Sequence, residues 1–449
     1  MTVHTPPAAP LPPAADARRP RVAAAVTAGV LLASVAVILA VTTPWDPLSG
    51  HVPGGRTVPD PALDFSAAEL ARARAFDAEL NPIAYTRLAV GLLAVLALGL
   101  TPLGARFLGW ATARGRRWPL RVALAAVVLT TVLRLVGLPF GIWGETVLRR
   151  YGLSTQTWGS WLGDQARSLA VTWVVWSLAL LLLYALLRRF PRYWWTGAAV
   201  GAFLLVVGGS FVYPVVVEPV FNKFHSLPAG RLRSDLLAMA DRDGVPVEDV
   251  LVADASRRTT SLNAYVSGFG STRRIVVYDT LLKSPPARIE SIVAHELGHA
   301  KHRDVLHGTL IGGLGVAGAV CLLSLLLSSP RLARRSGTPE GAAAADARSV
   351  ALVLALVTVA TQLGGPVQNF VSRRVEARAD AHALDLTRDP ATFVSMQHEL
   401  SARNLSDPRP NGLERLLWSS HPPGPERIAM ARDWAKLHGV PVPPPLNRR

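Results

Sequence analysis

Seven apolar runs of about twenty residues constrain the fold of this chain more than any other feature. A bilayer core is about 30 Å thick and is crossed by a helix of about 20 apolar residues. The first run is long and lacks a clear small-residue cleavage site, so we interpret it as an uncleaved anchor rather than a signal peptide. The sequence therefore predicts a mostly α-helical integral membrane protein with about seven transmembrane helices, at 22–43, 84–104, 119–139, 168–187, 195–215, 305–328 and 349–366.

Charge and cysteine content exclude two kinds of site. The formal charge of +16 comes almost entirely from arginine, since only Lys223, Lys283, Lys301 and Lys436 are lysines. The arginines cluster beside the apolar runs, as the positive-inside rule expects, so we predict no nucleic-acid partner. The Ala-, Arg- and Pro-rich usage is typical of a GC-rich bacterial genome, and we expect a bacterial plasma membrane. Cys321 is the only cysteine, which excludes an intrachain disulfide and a thiolate metal cage.

Two polar segments alternate with the membrane helices. Neither is an obvious complete domain, so a site built from both would be assembled across the sixth and seventh helices. The expected organisation is a disordered Pro/Ala-rich tail at 1–20, five transmembrane helices with loops at 21–215, the first part of a catalytic domain at 216–304, helix six at 305–328, a flexible loop at 329–348, helix seven at 349–366 and the second catalytic part at 367–449.

The first polar segment combines helical and strand patterns. Leu232, Leu236 and Ala240 have helical spacing, and Gly244 is a C-terminal stop signal. The stretches "DVLVADA" and "RRIVVYDTLL" predict two strands. The stretch "KSPPARIESIVAHELGHAKH" predicts a helix that Ser284 caps, with prolines where the first amides lack partners.

This last helix carries a metal-binding pattern at the mouth of a membrane helix. Within "SIVAHELGHAKHRDV", residues 291–305, His295 and His299 are four positions apart and share one helix face, with Glu296 beside them. In zincins the two imidazoles hold zinc and the glutamate takes a proton from water that zinc activates. The small or apolar neighbours suit a buried helix.

A catalytic zinc needs a third protein ligand, and "VSRRVEARADAHALDL", residues 371–386, offers one. Glu376 would bind the metal, and Asp380, four positions on, would accept a hydrogen bond from a ligand imidazole and fix its tautomer. An isolated pair of this kind is more often a solvated helix face, but the flanking alanines permit close helix packing. His302 is an alternative ligand or a chamber-lining residue. Asp304 and His307 lie at the membrane entry, where charge marks an interface or a hydrated cavity.

At this point the chain resembles a known family, the type I CAAX prenyl proteases, which are integral-membrane zinc metalloendopeptidases. The resemblance extends from about 213 to 430 and rests on "YPVVVEPVFNKFHSLPAGRL", "SLNAYVSGFGSTRRIVVYDTLL", "VAHELGHAKH", "SRRVEARADAHAL", "ARNLSDP" and "SSHPPGPERI".

The resemblance implies a barrel of seven helices around a hydrated chamber, capped by a small α+β gluzincin-like catalytic domain. It implies one Zn²⁺ per chain, bound by the histidine pair and Glu376, with Glu296 as general base. It also implies that Asn263 hydrogen-bonds substrate backbone. His421 and Arg427 are implied to stabilise the oxyanion or brace the ligand helix, although a Pro-rich turn with a structural ion pair is an equal alternative.

We therefore expect a membrane-embedded zinc metalloendopeptidase that hydrolyses peptide bonds with zinc-activated water. Its partners would be the bilayer and a peptide or protein substrate, lipid-modified or membrane-associated, whose backbone could pair with an edge at "NAYVSGF". Quality control of membrane proteins without prenylated substrates is a serious alternative. A transporter or receptor is disfavoured because the spans lack paired polar residues, and a purely structural zinc is disfavoured because it needs no base.

The membrane orientation stays open. The positive-inside rule favours a cytoplasmic N-terminus with the catalytic segments outside, whereas the family resemblance places those segments in the cytosol. One side carries Arg18, Arg19, Arg21, Arg106, Arg114, Arg116, Arg117, Arg188, Arg189, Arg192, Arg331, Arg334 and Arg335, and the other carries Arg56, Arg72, Arg74, Arg149, Arg150 and Arg167.

Overall fold

The computed structural model describes residues 14–268, 273–338 and 345–447, which form a mostly helical protein. The first half contains α1 (Ala14–Thr42), α2 (Pro61–Asp64), α3 (Ala67–Leu100), α4 (Pro102–Ala111), α5 (Trp118–Arg150), α6 (Trp158–Arg189), α7 (Trp194–Val212) and α8 (Glu218–Phe221). The second half contains α9 (Arg231–Arg242), α10 (Pro286–Lys301), α11 (Asp304–Leu327), α12 (Pro330–Ser336), α13 (Val350–Thr387), α14 (Pro390–Arg403), α15 (Gly412–Leu417) and α16 (Gly424–Leu437).

Seven helical segments in the described ranges are long and apolar enough to cross a membrane, which confirms the predicted architecture. They are α1, α3, α5, α6, the α7–α8 segment, α11 and α13. The helices extend beyond the predicted apolar runs, because a helix does not end where the bilayer ends. The helix α3 begins at a capping box formed by Ser66 and Glu69, well before the predicted start at 84. The fifth segment passes through a π-type turn at Tyr213–Val217 and continues to Phe221.

The spanning helices close into a ring around a chamber. Going around it, α11 packs on α7, α7 on α6, α6 on α5, α5 on α3, α3 on α13 and α13 on α11, while α1 packs against α11. Small residues allow close approach where helices cross. A Cβ at Gly99 of α3 would clash with the Cβ of Ala355 in α13, and one at Gly318 of α11 would lie 3.1 Å from Leu32 in α1.

The residues between and after these helices form a layer at one end of the ring, which we call the sheet layer (222–303 and 388–447). Its sheet has four strands, β1 (Phe224–Ser226), β2 (Asp249–Ala253), β3 (Ala264–Ser267) and β4 (Arg274–Tyr278), in the order β1-β2-β4-β3. The central pair is parallel and both outer pairs are antiparallel. The two predicted strands are β2 and β4. The expectation of only two strands was wrong, because β1 and β3 are too short to show a hydrophobic alternation.

One carboxylate, at the start of the central strand β2, connects three elements. Asp249 of β2 accepts hydrogen bonds from Ser226 Oγ of β1 (2.6 Å) and from Arg233 Nη2 of α9 (2.8 Å). Desolvation alone would raise the pKa of Asp249, but these hydrogen bonds and the backbone N–H of Val250 outweigh it and hold the pKa below its usual range. The side chain therefore stabilises the fold in its ionised form.

A single apolar core holds the sheet layer together. The helix α10 packs against β3 and α14, and α16 packs against α14 and α13. Fully buried members of this core include Leu236, Val250, Ile275, Val277, Val293, Leu297, Phe393 and Trp434. A buried ion pair joins α16 to α2: Arg432 Nη1 donates to Asp64 Oδ2 at 2.8 Å, and both side chains are almost completely buried.

The helix α13 departs most from the sequence prediction. It was expected to end at 366, after "GGP", but it continues without interruption through Gly364, Gly365 and Pro366 to Thr387. Proline and glycine are tolerated in membrane helices because neighbouring groups satisfy the freed backbone atoms. One continuous helix therefore leads from the membrane towards the sheet layer and carries Glu376 and Asp380.

Three smaller expectations also need correction. The predicted tail 1–20 overlaps α1, which begins at Ala14, while 1–13 lie outside the described residues. The predicted flexible loop 329–348 contains α12, capped by Ser329, and its residues 339–344 lie outside the described part. Ser284 does not cap α10: Pro285 stands at the cap position without a side-chain hydrogen bond, and Ser284 Oγ lies 3.2 Å from Glu399.

Candidate metal centre

Three predicted ligands from two helices meet at one point. His295 and His299 occupy successive turns of α10, and their Nε2 atoms are 3.2 Å apart. Glu376 of α13 places Oε2 3.1 Å from His295 Nε2 and Oε1 3.5 Å from His299 Nε2. One ligand atom of each residue lies within 4.8 Å of the others, so the three can share one cation.

Small residues allow the two helices to come this close. A Cβ at Gly298 would lie 3.2 Å from the Cα of Ala379 and 3.1 Å from the Cβ of His382, both on α13. The chain therefore has glycine and alanine where the backbones of α10 and α13 touch. The ligand side chains of His295 and Glu376, each three positions before the contact residue of its own helix, then span the remaining gap.

A buried carboxylate and an arginine orient His295. Asp380 of α13 is completely buried, and its Oδ1 lies 2.8 Å from His295 Nδ1. Arg427 of α16 donates to both oxygens of Asp380, with Nε 2.7 Å from Oδ2. A carboxylate on Nδ1 fixes the proton there and leaves Nε2 free to face Glu376.

His299 has an equivalent carboxylate that sequence reasoning did not assign to it. Asp304, the first residue of α11, places Oδ2 2.9 Å from His299 Nδ1 and also accepts a hydrogen bond from Arg378. The chain turns back at Arg303, whose φ is 57°. An acidic residue five positions after a ligand histidine, just past a helix end, is the sequence signal that could have indicated this contact.

The electrostatics of the site favour a cation between these groups. Desolvation would lower the pKa of His299, but Asp304 and Glu376 outweigh it and raise the pKa to about 10. For His295, Asp380 and Glu376 likewise overcome desolvation and raise the pKa. Desolvation also raises the pKa of the Glu296 carboxyl, although both histidines oppose the shift. The carboxylates thus supply negative charge that either protons or a metal ion can neutralise.

A cavity of about 720 Å³ reaches the ligand His295. It is lined by Glu296, His295, Asn263, His421 and Arg427, and the predicted residues His299, Glu376 and Asp380 each contact His295. Other lining residues are Phe76, Asp77, Thr259, Ser261, Leu262, Gln397, Ser401, Asn404, Asp407, Glu414 and Trp418.

The residues implied by the resemblance occupy different positions in this cavity. Asn263 is exposed at the start of β3, and the preceding residue is clamped by Asn404, whose Oδ1 accepts from Leu262 N–H at 3.0 Å and whose Nδ2 donates to Leu262 O at 3.3 Å. Asn404 was not singled out in the sequence. His421 places Nε2 3.3 Å from Glu376 Oε2 at the cavity wall. The Arg427 guanidinium is paired with the Asp380 carboxylate.

His302, the alternative ligand, is not part of this group. Its ring packs edge-on against His382, with centroids 5.6 Å apart, and His382 Nε2 lies 3.0 Å from Asp243 Oδ2. These side chains lie outside the residues that line the cavity. His302 therefore supports the far side of α10.

Comparisons with known proteins agree with this geometry. The family model described as peptidase family M48 matches residues 226–435, and the model described as the CAAX prenyl protease N-terminal region with five membrane helices matches residues 60–223. An uncharacterized metalloprotease, YhfN of Bacillus subtilis, is 34% identical over 311 residues, which cover 68% of this chain and 71% of YhfN. A CAAX prenyl protease 1 homolog of Oryza sativa is 28% identical over 84% of this chain and 90% of its own length.

The fold is also known from a solved structure. The crystal structure of S. mikatae Ste24p superposes with a TM-score of 0.70 at 20% sequence identity, covering 91% of this chain and 98% of that one. This likeness shows the chambered helical barrel. M48 peptidases depend on a bound metal, which the grouped histidines and glutamate can provide for. The chain belongs to peptidase family M48, as an integral-membrane metalloendopeptidase.

Proposed function

We propose that His295, His299 and Glu376 hold one zinc ion and that Glu296 is the general base of peptide hydrolysis. The observation that carries this proposal is the donor set: two imidazole nitrogens and one carboxylate oxygen within 4.8 Å. Catalytic zinc takes three such ligands and keeps one position open, whereas hard ions such as Mg²⁺ prefer oxygen ligands alone. His295 and Glu296 both line the cavity, which supports access of substrate to this group.

The protein groups have distinct tasks in this mechanism. Zinc, when bound, supplies Lewis acidity that activates water and polarises the substrate carbonyl. Glu296 faces the same cavity, where it accepts a proton from the attacking water and then passes it to the departing amine nitrogen. His421 stands at the cavity wall and donates to the oxyanion that develops on the substrate.

Asp380 and Arg427 act through the ligands rather than on the substrate. Asp380 holds the proton on His295 Nδ1, and Arg427 compensates the buried charge of Asp380. Because the Arg427 guanidinium donates to both carboxylate oxygens of Asp380, we assign Arg427 to positioning the ligand helix. Asp304 has the same positioning task for His299.

We further infer that substrate backbone pairs with β3. Among the described residues this strand lies at the edge of the sheet and pairs with β4 alone, and Asn263, just before it, lines the cavity. An unpaired edge offers backbone N–H and C=O groups to an extended peptide. Asn404 fixes the segment from which Asn263 projects towards that peptide.

The substrate class follows from the position of the site next to the membrane ring. A peptide that enters the chamber comes from a protein that is membrane-embedded or carries a lipid. Several relatives are named CAAX prenyl proteases, which favours a lipid-modified C-terminus. The bacterial relative is named only as a metalloprotease, so turnover of damaged membrane proteins is the second candidate.

The test compares wild-type protein with Glu296→Gln. We expect the variant to retain one zinc per chain while peptide cleavage falls by about 10²–10⁴-fold, the typical contribution of a general base. Glu290→Gln is the matched control, because Glu290 is on the same helix but outside the cavity-lining set. Equal activity of Glu296→Gln and wild type would refute the assigned base. Parallel assays on prenylated and plain versions of one peptide distinguish the two substrate classes.

A further inference from the structure

A second cavity lies between α13, α15 and α16 and shares Arg427 with the cavity at the metal centre. Its volume is about 400 Å³. It is lined by Phe370, Arg373, Arg374, Ala377, Asp380, Arg415, Pro422, Glu426, Arg427 and Met430. Nothing in the proposed hydrolysis uses Arg373, Arg374 or Arg415.

The charges that line this cavity do not balance. It contains four guanidinium groups and two carboxylates. Arg415 forms a two-pronged pair with Glu426, with Nη2 2.9 Å from Oε2, and Arg427 pairs with Asp380. In the described ranges no carboxylate pairs with Arg373 or Arg374, so the cavity keeps an excess of positive charge.

The two unbalanced arginines are held in different ways. Arg373 Nη1 donates to the carbonyl oxygens of Arg415 (2.9 Å) and Ser419 (2.5 Å), so its guanidinium is fixed at the wall. Arg374 is exposed, and its guanidinium lies 5.7 Å from the centroid of the Phe370 ring. Both groups keep N–H donors available to an anion, since a guanidinium carries five.

The cavity opens at the expected level of the lipid headgroups. The last apolar turns of α13 expose Leu363, Val367 and Phe370, and the arginines follow in the next turn. The ring centroids of Phe370 and Trp45 are 6.2 Å apart, and Trp45 is an exposed residue just after the end of α1. Exposed aromatic residues at the ends of membrane helices mark the bilayer interface. An anion in this cavity would therefore have apolar protein surface on its membrane side.

We propose that this cavity binds the phosphate group of an anionic phospholipid, with Arg373 and Arg374 as the recognising residues. Arginine forks match phosphate oxygens, and the excess charge favours an anion over a zwitterion. The acyl chains would lie along the apolar face that ends at Phe370. Free phosphate offers the same oxygens but gains nothing from that face. The bound headgroup would be one side chain away from the pair that positions His295.

The experiment uses full-length, metal-loaded protein purified into nanodiscs. Retained lipid is measured by native mass spectrometry, and thermal unfolding is measured in phosphatidylcholine, in phosphatidylcholine with phosphatidylglycerol, and in phosphatidylcholine with inorganic phosphate. We expect phosphatidylglycerol to be retained and to raise the unfolding temperature, and inorganic phosphate to have no such effect. Arg374→Gln should bind phosphatidylglycerol about fivefold more weakly, as expected for one basic residue at a membrane surface.

Two further variants complete the test. Arg74→Gln is the control, since Arg74 is an exposed arginine of α3 outside the cavity, and it should behave as wild type. Arg374→Lys keeps the charge but loses the guanidinium fork, so its binding should fall between that of wild type and that of Arg374→Gln. Because Arg373 also anchors backbone carbonyls, its replacement is not the primary variant. Unchanged phosphatidylglycerol binding in Arg374→Gln would overturn the proposal, and so would an equal unfolding shift with inorganic phosphate alone.

Discussion

Replacing Asp380 with asparagine tests how much the metal centre depends on one buried charge. Asp380 is completely buried between His295 Nδ1, 2.8 Å from Oδ1, and Arg427 Nε, 2.7 Å from Oδ2. Asparagine has nearly the same shape but removes the negative charge. It also presents an amide that can donate a hydrogen bond where the imidazole needs an acceptor. Both contacts of Asp380 are therefore weakened without a change of volume.

The expected magnitude follows from these contacts. Removing the partner of a metal-ligating histidine typically weakens metal affinity by about 10–100-fold, or about 1.4–2.8 kcal/mol. We expect a loss of zinc affinity of about 100-fold, because the Asp380 carboxylate is completely buried and hydrogen-bonds both His295 and Arg427. The same change leaves the Arg427 cation without its partner, and breaking a buried ion pair costs about 3–5 kcal/mol of stability.

The assay is competition with a chelator of known zinc affinity, combined with thermal unfolding. Asp385→Asn is the matched control: Asp385 lies on the same helix, but its carboxylate accepts from Trp434 Nε1 at 2.9 Å, away from the ligands. Asp380→Asn with Arg427→Gln should recover part of the lost stability, because the unpaired cation is then removed as well. A folded Asp380→Asn protein with wild-type zinc affinity would refute the reasoning.

Three other changes have defined outcomes. Gly298→Ala should push α10 away from α13, costing about 1–3 kcal/mol and weakening zinc binding in the chelator assay, whereas Gly308→Ala, with no atom within 4 Å of the added Cβ, should not. Arg432→Met should lower stability by about 3–5 kcal/mol in thermal unfolding by stranding its buried carboxylate partner, whereas Arg409→Met, at an exposed pair, should have little effect. Asp249→Asn should lower the free energy of unfolding by about 1 kcal/mol at neutral pH. Because the folded-state pKa of Asp249 is lowered, the stabilisation by its carboxylate is present above about pH 4 and is lost as the pH falls further. The unfolding curves of wild type and Asp249→Asn should therefore converge in acid. If the two variants of a pair were equally stable, the corresponding packing or ion-pair argument would be contradicted. A stability difference between Asp249→Asn and wild type that did not change with pH would contradict the pKa argument.

Much of the architecture could be predicted because its signals are local. An apolar run of about twenty residues has few alternatives to a membrane helix, and the seven runs appear in the structure as seven spanning segments. The helix and the central strands of the first polar segment also carry their own periodicity. The short outer strands β1 and β3 have no such signal, since their existence depends on pairing with β2 and β4.

The metal centre likewise has parts that local sequence patterns predict and parts that depend on contacts between distant segments. The spacing of His295 and His299 is local, because four residues make about one helical turn, and it defines a shared face without any tertiary information. The pairing of Glu376 with these histidines required the assumption that two segments 81 positions apart would meet. Asp304 was noted only as a charge at the membrane entry, and Asn404 was not singled out, because the contact of each with the site is created only by the folded chain.

The amino-acid sequence by itself determined that this chain is a membrane protein and which helix face carries a histidine pair, because both depend on periodicity within one element. Only the tertiary structure decided that α13 runs unbroken from the membrane into the sheet layer. It also decided that Asp380 and Asp304 stand behind the two imidazoles and that β3 is left as a sheet edge. These features come from packing between distant segments, whose energy is not encoded in any single stretch of the chain.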